Sequence, residues 1–128
     1  MKIQSALEYL LISSFVLTII IIGFSFAFKE TTNQIFQINI RQIEVNIQKI
    51  IYYSELVFSQ DAPAKYTLKL NFPIETKIYN ISNVLIAEYS NNKISYPLNF
   101  NIFVNESFFG FITIEIKNEG NYVKIKKI

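Results

Sequence analysis

The sequence predicts an α+β protein: a long N-terminal α-helix followed by a small antiparallel β-sheet or β-sandwich head. Three observations carry this expectation. Tyr9–Phe28 is a run of 20 residues without a charge. Phe36, Ile40, Ile43, Ile47, Ile50, Ser54 and Val57 then follow one another at alternating spacings of 4 and 3, a heptad-like seam with one polar gap. Beyond Ala64, apolar residues alternate with polar ones at a period of 2.

The apolar run is long enough to cross a bilayer's hydrocarbon core, which takes about 20 residues. Lys2 and the amino terminus lie before it, whereas Lys29 and Glu30 cancel after it. The positive-inside bias therefore places the N-terminus in the cytoplasm and the rest of the chain outside. The run exceeds a secretory signal's apolar region of about 7–15 residues, and an uncleaved span fits it better. No Ala-x-Ala cleavage pattern stands around Gly23–Phe28.

The seam occupies an amphipathic continuation, residues 29–60. Ile38, Ile40, Ile43, Val45 and Ile47 also admit a strand-like alternation. Helix is the better reading because no turn signal interrupts residues 33–58, and Glu44 follows Arg41 at pairing distance. Asp61-Ala62-Pro63 ends it, because proline disfavours helix in the residue before it. One helix over residues 4–58 is expected, apolar nearly all round in its first half. A protein of 128 residues cannot bury that half by itself, so lipid or other copies must cover it.

Residues 61–128 read as a β-rich head of about six strands. Tyr66, Leu68, Leu70 and Phe72 face one way; Ile112, Ile114 and Ile116 do the same further on. Ile94, Tyr96, Leu98, Phe100, Ile102 and Val104 alternate across Pro97, which implies an edge strand or two strands meeting at a bend. Turn signals stand at Ser90-Asn91-Asn92-Lys93 and Asn118-Glu119-Gly120-Asn121. The inward faces are expected to pack on the helix after Phe28. Lys124, Lys126 and Lys127 read as a solvated edge strand.

Composition excludes several kinds of chemistry. There is no Cys, His or Trp, so disulfides, Cys/His metal sites and Cys- or His-based catalytic pairs are ruled out. Three scattered glycines form no phosphate-cradling loop, and ten acidic residues are spread singly. No cofactor is implied and an enzyme is not expected. The net charge of +2 forms no strong patch along the sequence, so nucleic-acid binding has no positive support. The 24 Ile and 13 Asn fit an AT-rich genome as well as any functional need.

The start, Gln4-Ser5-Ala6-Leu7-Glu8-Tyr9-Leu10 set directly before the apolar run, resembles the N-terminal motif of archaeal class III signal peptides in type IV pilin-like proteins. The motif covers about seven residues, and the order of long helix and β-rich head extends the resemblance along the chain. It departs at Ile3, where the family usually carries a small residue, and at Ala6, where Ser is common. The resemblance implies a leader of residues 1–3, removed by a prepilin peptidase between Ile3 and Gln4, and a membrane- or filament-core helix over 4–28. Gln4 becomes the first mature residue, and Glu8, at the fifth mature position, assists assembly by neutralising a neighbour's amine or setting axial register. A carboxylate at the edge of an apolar segment is costly unless paired or interfacial. The plain alternative is a snorkelling boundary charge.

The resemblance further implies a structural subunit of a surface filament, used in adhesion or a related role. It is a single-pass membrane protein before assembly and extracellular afterwards. Its implied partners are other copies or related pilin subunits, an assembly ATPase and a platform protein. The competing reading is an uncleaved, single-span anchored protein whose outer β-domain binds a surface or an archaellum-type complex. Asn80-Ile81-Ser82 and Asn105-Glu106-Ser107 are N-glycosylation sequons in the outer domain, at a number chance alone would supply. Ser14 with Thr18, and Gly23 with Ala27, place small residues four apart, a spacing that lets helices approach and is common in any membrane helix.

Overall fold

The structure is a computed structural model and describes residues 2–128. Met1, the first residue of the expected leader, lies outside the described residues. Among these, one α-helix precedes six β-strands, the α+β arrangement expected. The chain forms two compact units, one ending at Ile38 and one spanning Asn39–Ile128.

Helix α1 runs Lys2–Phe58. It contains no proline, and its one glycine, Gly23, does not interrupt it. In the first unit each described residue from 2 to 38 is exposed, Phe36 of the seam included.

In the second unit the seam from Ile43 onward is the helix's buried face. Ile43, Ile47 and Ile50 are fully covered and Val57 is 1% exposed. Burying side chains of this size contributes about 1.5–3 kcal/mol each. Ser54, the polar gap in the seam, is tolerated because its hydroxyl donates to the Ile50 carbonyl at 2.6 Å.

The strands are β1 Lys65–Ile81, β2 Val84–Tyr89, β3 Asn92–Pro97, β4 Ile102–Phe103, β5 Asn105–Asn118 and β6 Val123–Lys127. They form one sheet in the order β3-β2-β1-β5-β6-β4. Its inner face supplies Leu68, Leu70, Phe72, Phe108, Ile112, Ile114 and Ile116 to a core shared with the seam. Tyr66 continues that face by stacking on Tyr53 of the helix, with ring centroids 4.3 Å apart.

The sheet differs from the expected all-antiparallel pattern in one pair. β4 and β6 are parallel, with Ile102 opposite Val123 and Phe103 opposite Lys124. Edge strand β3 ends at Pro97, and the chain crosses to the opposite edge, where Phe100, Ile102 and Val104 are buried. A short β4 therefore flanks β6, which is not itself the terminal strand of the sheet.

Two turns fall where the polar clusters predict them; a third, at Ser82-Asn83 between β1 and β2, is not among those expected. Ser90 and Asn91 both have positive φ, 46° and 63°, joining β2 to β3 by a two-residue connection of the kind that suits hairpin twist. Within β1 the register shifts between Phe72 and Thr76, so Pro73, Ile74 and Glu75 bulge opposite Phe109. Proline is tolerated there because a bulge asks no ladder hydrogen bond of it. Before the bulge β1 has no partner in β2, which pairs only with Thr76–Ile81, and the Asn71 carbonyl accepts from the helix: Asn46 Nδ2 at 2.7 Å and Gln42 Nε2 at 3.3 Å.

Candidate functional site

The expected processing and assembly residues sit in the first turns of α1. Ile3 is 80% exposed, and Gln4 and Glu8 are exposed as well. Gln4 and Glu8 are four residues apart on a helix, so their side chains rise from the same face. The bond between Ile3 and Gln4 lies within the helix's first turn.

Downstream, the helix is long and apolar enough to cross a membrane, and none of its apolar window is buried within the chain. Its hydroxyls suit an apolar surrounding. Ser13 donates to the Leu10 carbonyl at 3.0 Å, and Thr18 and Ser25 donate to the carbonyls of Ser14 and Ile21 at 2.9 Å. Thr31 and Thr32 repeat the pattern with Ala27 and Phe28. A hydroxyl that bonds its own helix carries less unsatisfied polarity into lipid or into a packed bundle. At Gly23 an added Cβ would meet no atom of the chain within 4 Å, so no close approach inside the chain requires glycine there.

The two sequons differ in their surroundings. Asn80 is half-buried at the end of β1. Its Oδ1 accepts from the Val104 backbone at 3.0 Å and its Nδ2 donates to the Ser82 carbonyl at 3.4 Å. Asn105, one cross-strand step away opposite Tyr79, is exposed, as is Ser107. Both asparagines line one shallow concavity of about 530 Å³ together with Tyr79, Glu88 and Phe103.

A polar cluster that sequence reasoning missed lies beside it. The Tyr79 hydroxyl donates to Glu88 Oε1 at 2.7 Å, and Lys93 Nζ approaches the same oxygen at 3.4 Å. The Lys77 and Lys93 ammonium groups each lie 5.7 Å from the centre of the Tyr79 ring. The Tyr79 hydrogen bond, then Lys93, holds the Glu88 carboxyl below its usual range. The residues come from β1, β2 and β3, and only the strand register brings them together. Among the described residues, no group of three or more acidic side chains could hold a metal ion.

Comparison with protein-family models, curated proteins and solved structures finds no match.

Proposed function

We propose that this chain is a pilin-like structural subunit of a type IV pilus-like archaeal surface filament, trimmed before Gln4 and assembled through its N-terminal helix. One observation carries the reading. An apolar helix with no cover inside the chain presents Gln4 and Glu8 on one face at its very start. Lipid covers such a helix before assembly, and the helices of neighbouring subunits cover it afterwards. Either surrounding removes about ten large side chains from water, at roughly 1.5–3 kcal/mol each. Because lipid and filament offer similar burial, extraction from the membrane requires an external motor. The assembly ATPase and platform protein fill that role in this reading.

Ile3 favours a second reading, an uncleaved single-span anchor whose outer domain binds another surface or complex. The N-terminal peptide of the native protein separates the two by mass spectrometry. A chain beginning at Gln4 supports the filament subunit. A chain retaining Lys2 and Ile3 in mature cells supports the permanent anchor.

A further inference from the structure

Five lysines from three strands, β1, β5 and β6, meet on the outer face of the sheet. Strand register sets Lys65 opposite Lys117, and Lys117 opposite Lys124. Two residues along the strands, Lys126 stands opposite Glu115; two more, Lys69 stands opposite Thr113. Residues directly opposite share a face, and adjacent strands lie about 4.8 Å apart, so the first three side chains rise within about 10 Å.

Lys65 has Glu115 at 3.4 Å and Lys117 has Glu119 at 3.3 Å. Lys69, Lys124 and Lys126 have no carboxylate at ion-pair distance among the described residues. These five lysines stand against two side-chain carboxylates, Glu115 and Glu119. Like charges directly opposite on neighbouring strands are destabilising, and exposed ion pairs return little.

We propose that this face binds a linear acidic polysaccharide running along the strands. The charge calls for a polyanion. Lysine alone supplies it, as compact point charges that meet singly spaced carboxylates without the planar fork of arginine. Exposed Thr67 and half-buried Thr113 stand among the lysines and offer hydroxyls to a hydroxyl-rich chain. Phe111, 90% exposed opposite Asn71, closes the row with an open ring against which the C–H face of one sugar can lie. Single-stranded nucleic acid needs rings interleaved with the charges, and here the ring stands only at the end. An anionic lipid surface can meet the charges but makes no use of the Thr67 and Thr113 hydroxyls among them, and the doped-micelle arm of the test separates the two. The face belongs to the Asn39–Ile128 unit, and the inference does not depend on processing at Gln4.

The test uses the full chain in neutral polyoxyethylene micelles, with immobilised polygalacturonate as probe. Dextran and single-stranded DNA are run alongside, and the polygalacturonate assay is repeated in micelles doped with phosphatidylglycerol. Polygalacturonate should bind at low salt and dextran should not. Lys124→Gln with Lys126→Gln should weaken binding roughly tenfold or more. Lys77→Gln with Lys93→Gln removes the same charge at the β2–β3 end of the sheet and should change binding less than about twofold, because screened distant charges contribute little. Equal binding by the Lys124/Lys126 variant, equal binding of dextran, tighter binding of the DNA, or loss of polygalacturonate to doped micelles would each overturn the proposal.

Discussion

The side-chain amide of Asn118 donates to the Gln60 carbonyl at 2.8 Å and to the Val57 carbonyl at 3.2 Å, so the turn between β5 and β6 caps the end of α1. The last carbonyls of a helix lack partners within it. Here one buried amide from the sheet supplies them, and its Oδ1 accepts from the Gly120 backbone at 2.8 Å. Gly120, with φ of 101°, adopts the left-handed conformation that closes this turn. Helix end and sheet turn are thereby fixed by the same side chain.

Replacing Asn118, itself 4% exposed, by Ala should take the side-chain donor from the Gln60 carbonyl, while the Val57 carbonyl keeps the Gln60 N–H at 3.2 Å. The expected loss is about 1–3 kcal/mol of stability, the cost of an orphaned buried polar group. Asn118→Asp should be worse, since it sets a carboxylate against carbonyl oxygens. Chemical unfolding of the full chain in neutral micelles measures both, and a loss below a few tenths of a kcal/mol would remove the cap from the account.

The Tyr79–Glu88–Lys93 cluster predicts an acid-sensitive head. Glu88 has its folded-state pKa lowered, first by the Tyr79 hydrogen bond and then by Lys93. Its contribution to stability is therefore present above the unfolded carboxylate pKa and is lost as pH falls through the lower folded value. Tyr79→Phe removes the main cause and should flatten that part of the pH dependence while lowering stability modestly at neutral pH. Thermal melts across the acid range compare the two proteins; parallel profiles would mean Glu88 is not held by Tyr79.

Much of the fold was legible because its signals are local. The spacing from Ile43 to Val57 marked the buried helix face, and Asp61-Ala62-Pro63 marked its end. Ser90-Asn91 and Asn118–Asn121 marked turns because asparagine and glycine accept positive φ. The parallel β4–β6 pair was not legible, since nothing within Leu98–Asn101 says which strand the chain will meet. For the same reason the lysines at 65, 117 and 124 looked dispersed along the sequence, and only cross-strand register makes them neighbours. Asn118 was readable as a turn residue but not as a cap, because its partners lie about 60 positions away. Gln4 and Glu8 remain readable from motif spacing alone, and the structure adds their shared helix face.

The two sequons should behave differently. Asn105 stands exposed, whereas the Asn80 amide is engaged with Val104 and Ser82. In the native host, the peptide holding Asn105 should carry glycan mass and the peptide holding Asn80 should not. Asn80→Asp keeps the acceptor oxygen for Val104 and should be milder than Asn80→Ala, which should cost about 1 kcal/mol for the lost backbone partner. Peptide mass spectrometry and unfolding midpoints check the two parts, and glycan on Asn80 would show that the β1 end opens before modification.

Glu8 and Ile3 test the assembly reading from two sides. Glu8→Ala should leave membrane insertion intact, because removing a carboxylate from the edge of an apolar helix eases its transfer into lipid. The same change should reduce filament incorporation sharply if the carboxylate pairs with a neighbouring subunit, so membrane and sheared-filament fractions are compared by immunoblot. Normal incorporation would return Glu8 to the role of a boundary charge. Ile3→Gly removes the bulky side chain before the expected cut and should speed appearance of the Gln4 terminus in a pulse-chase. Faster cleavage with unchanged incorporation would place the two residues in separate steps, Ile3 in processing and Glu8 in assembly; unchanged cleavage would show that the side chain before the cut does not limit processing.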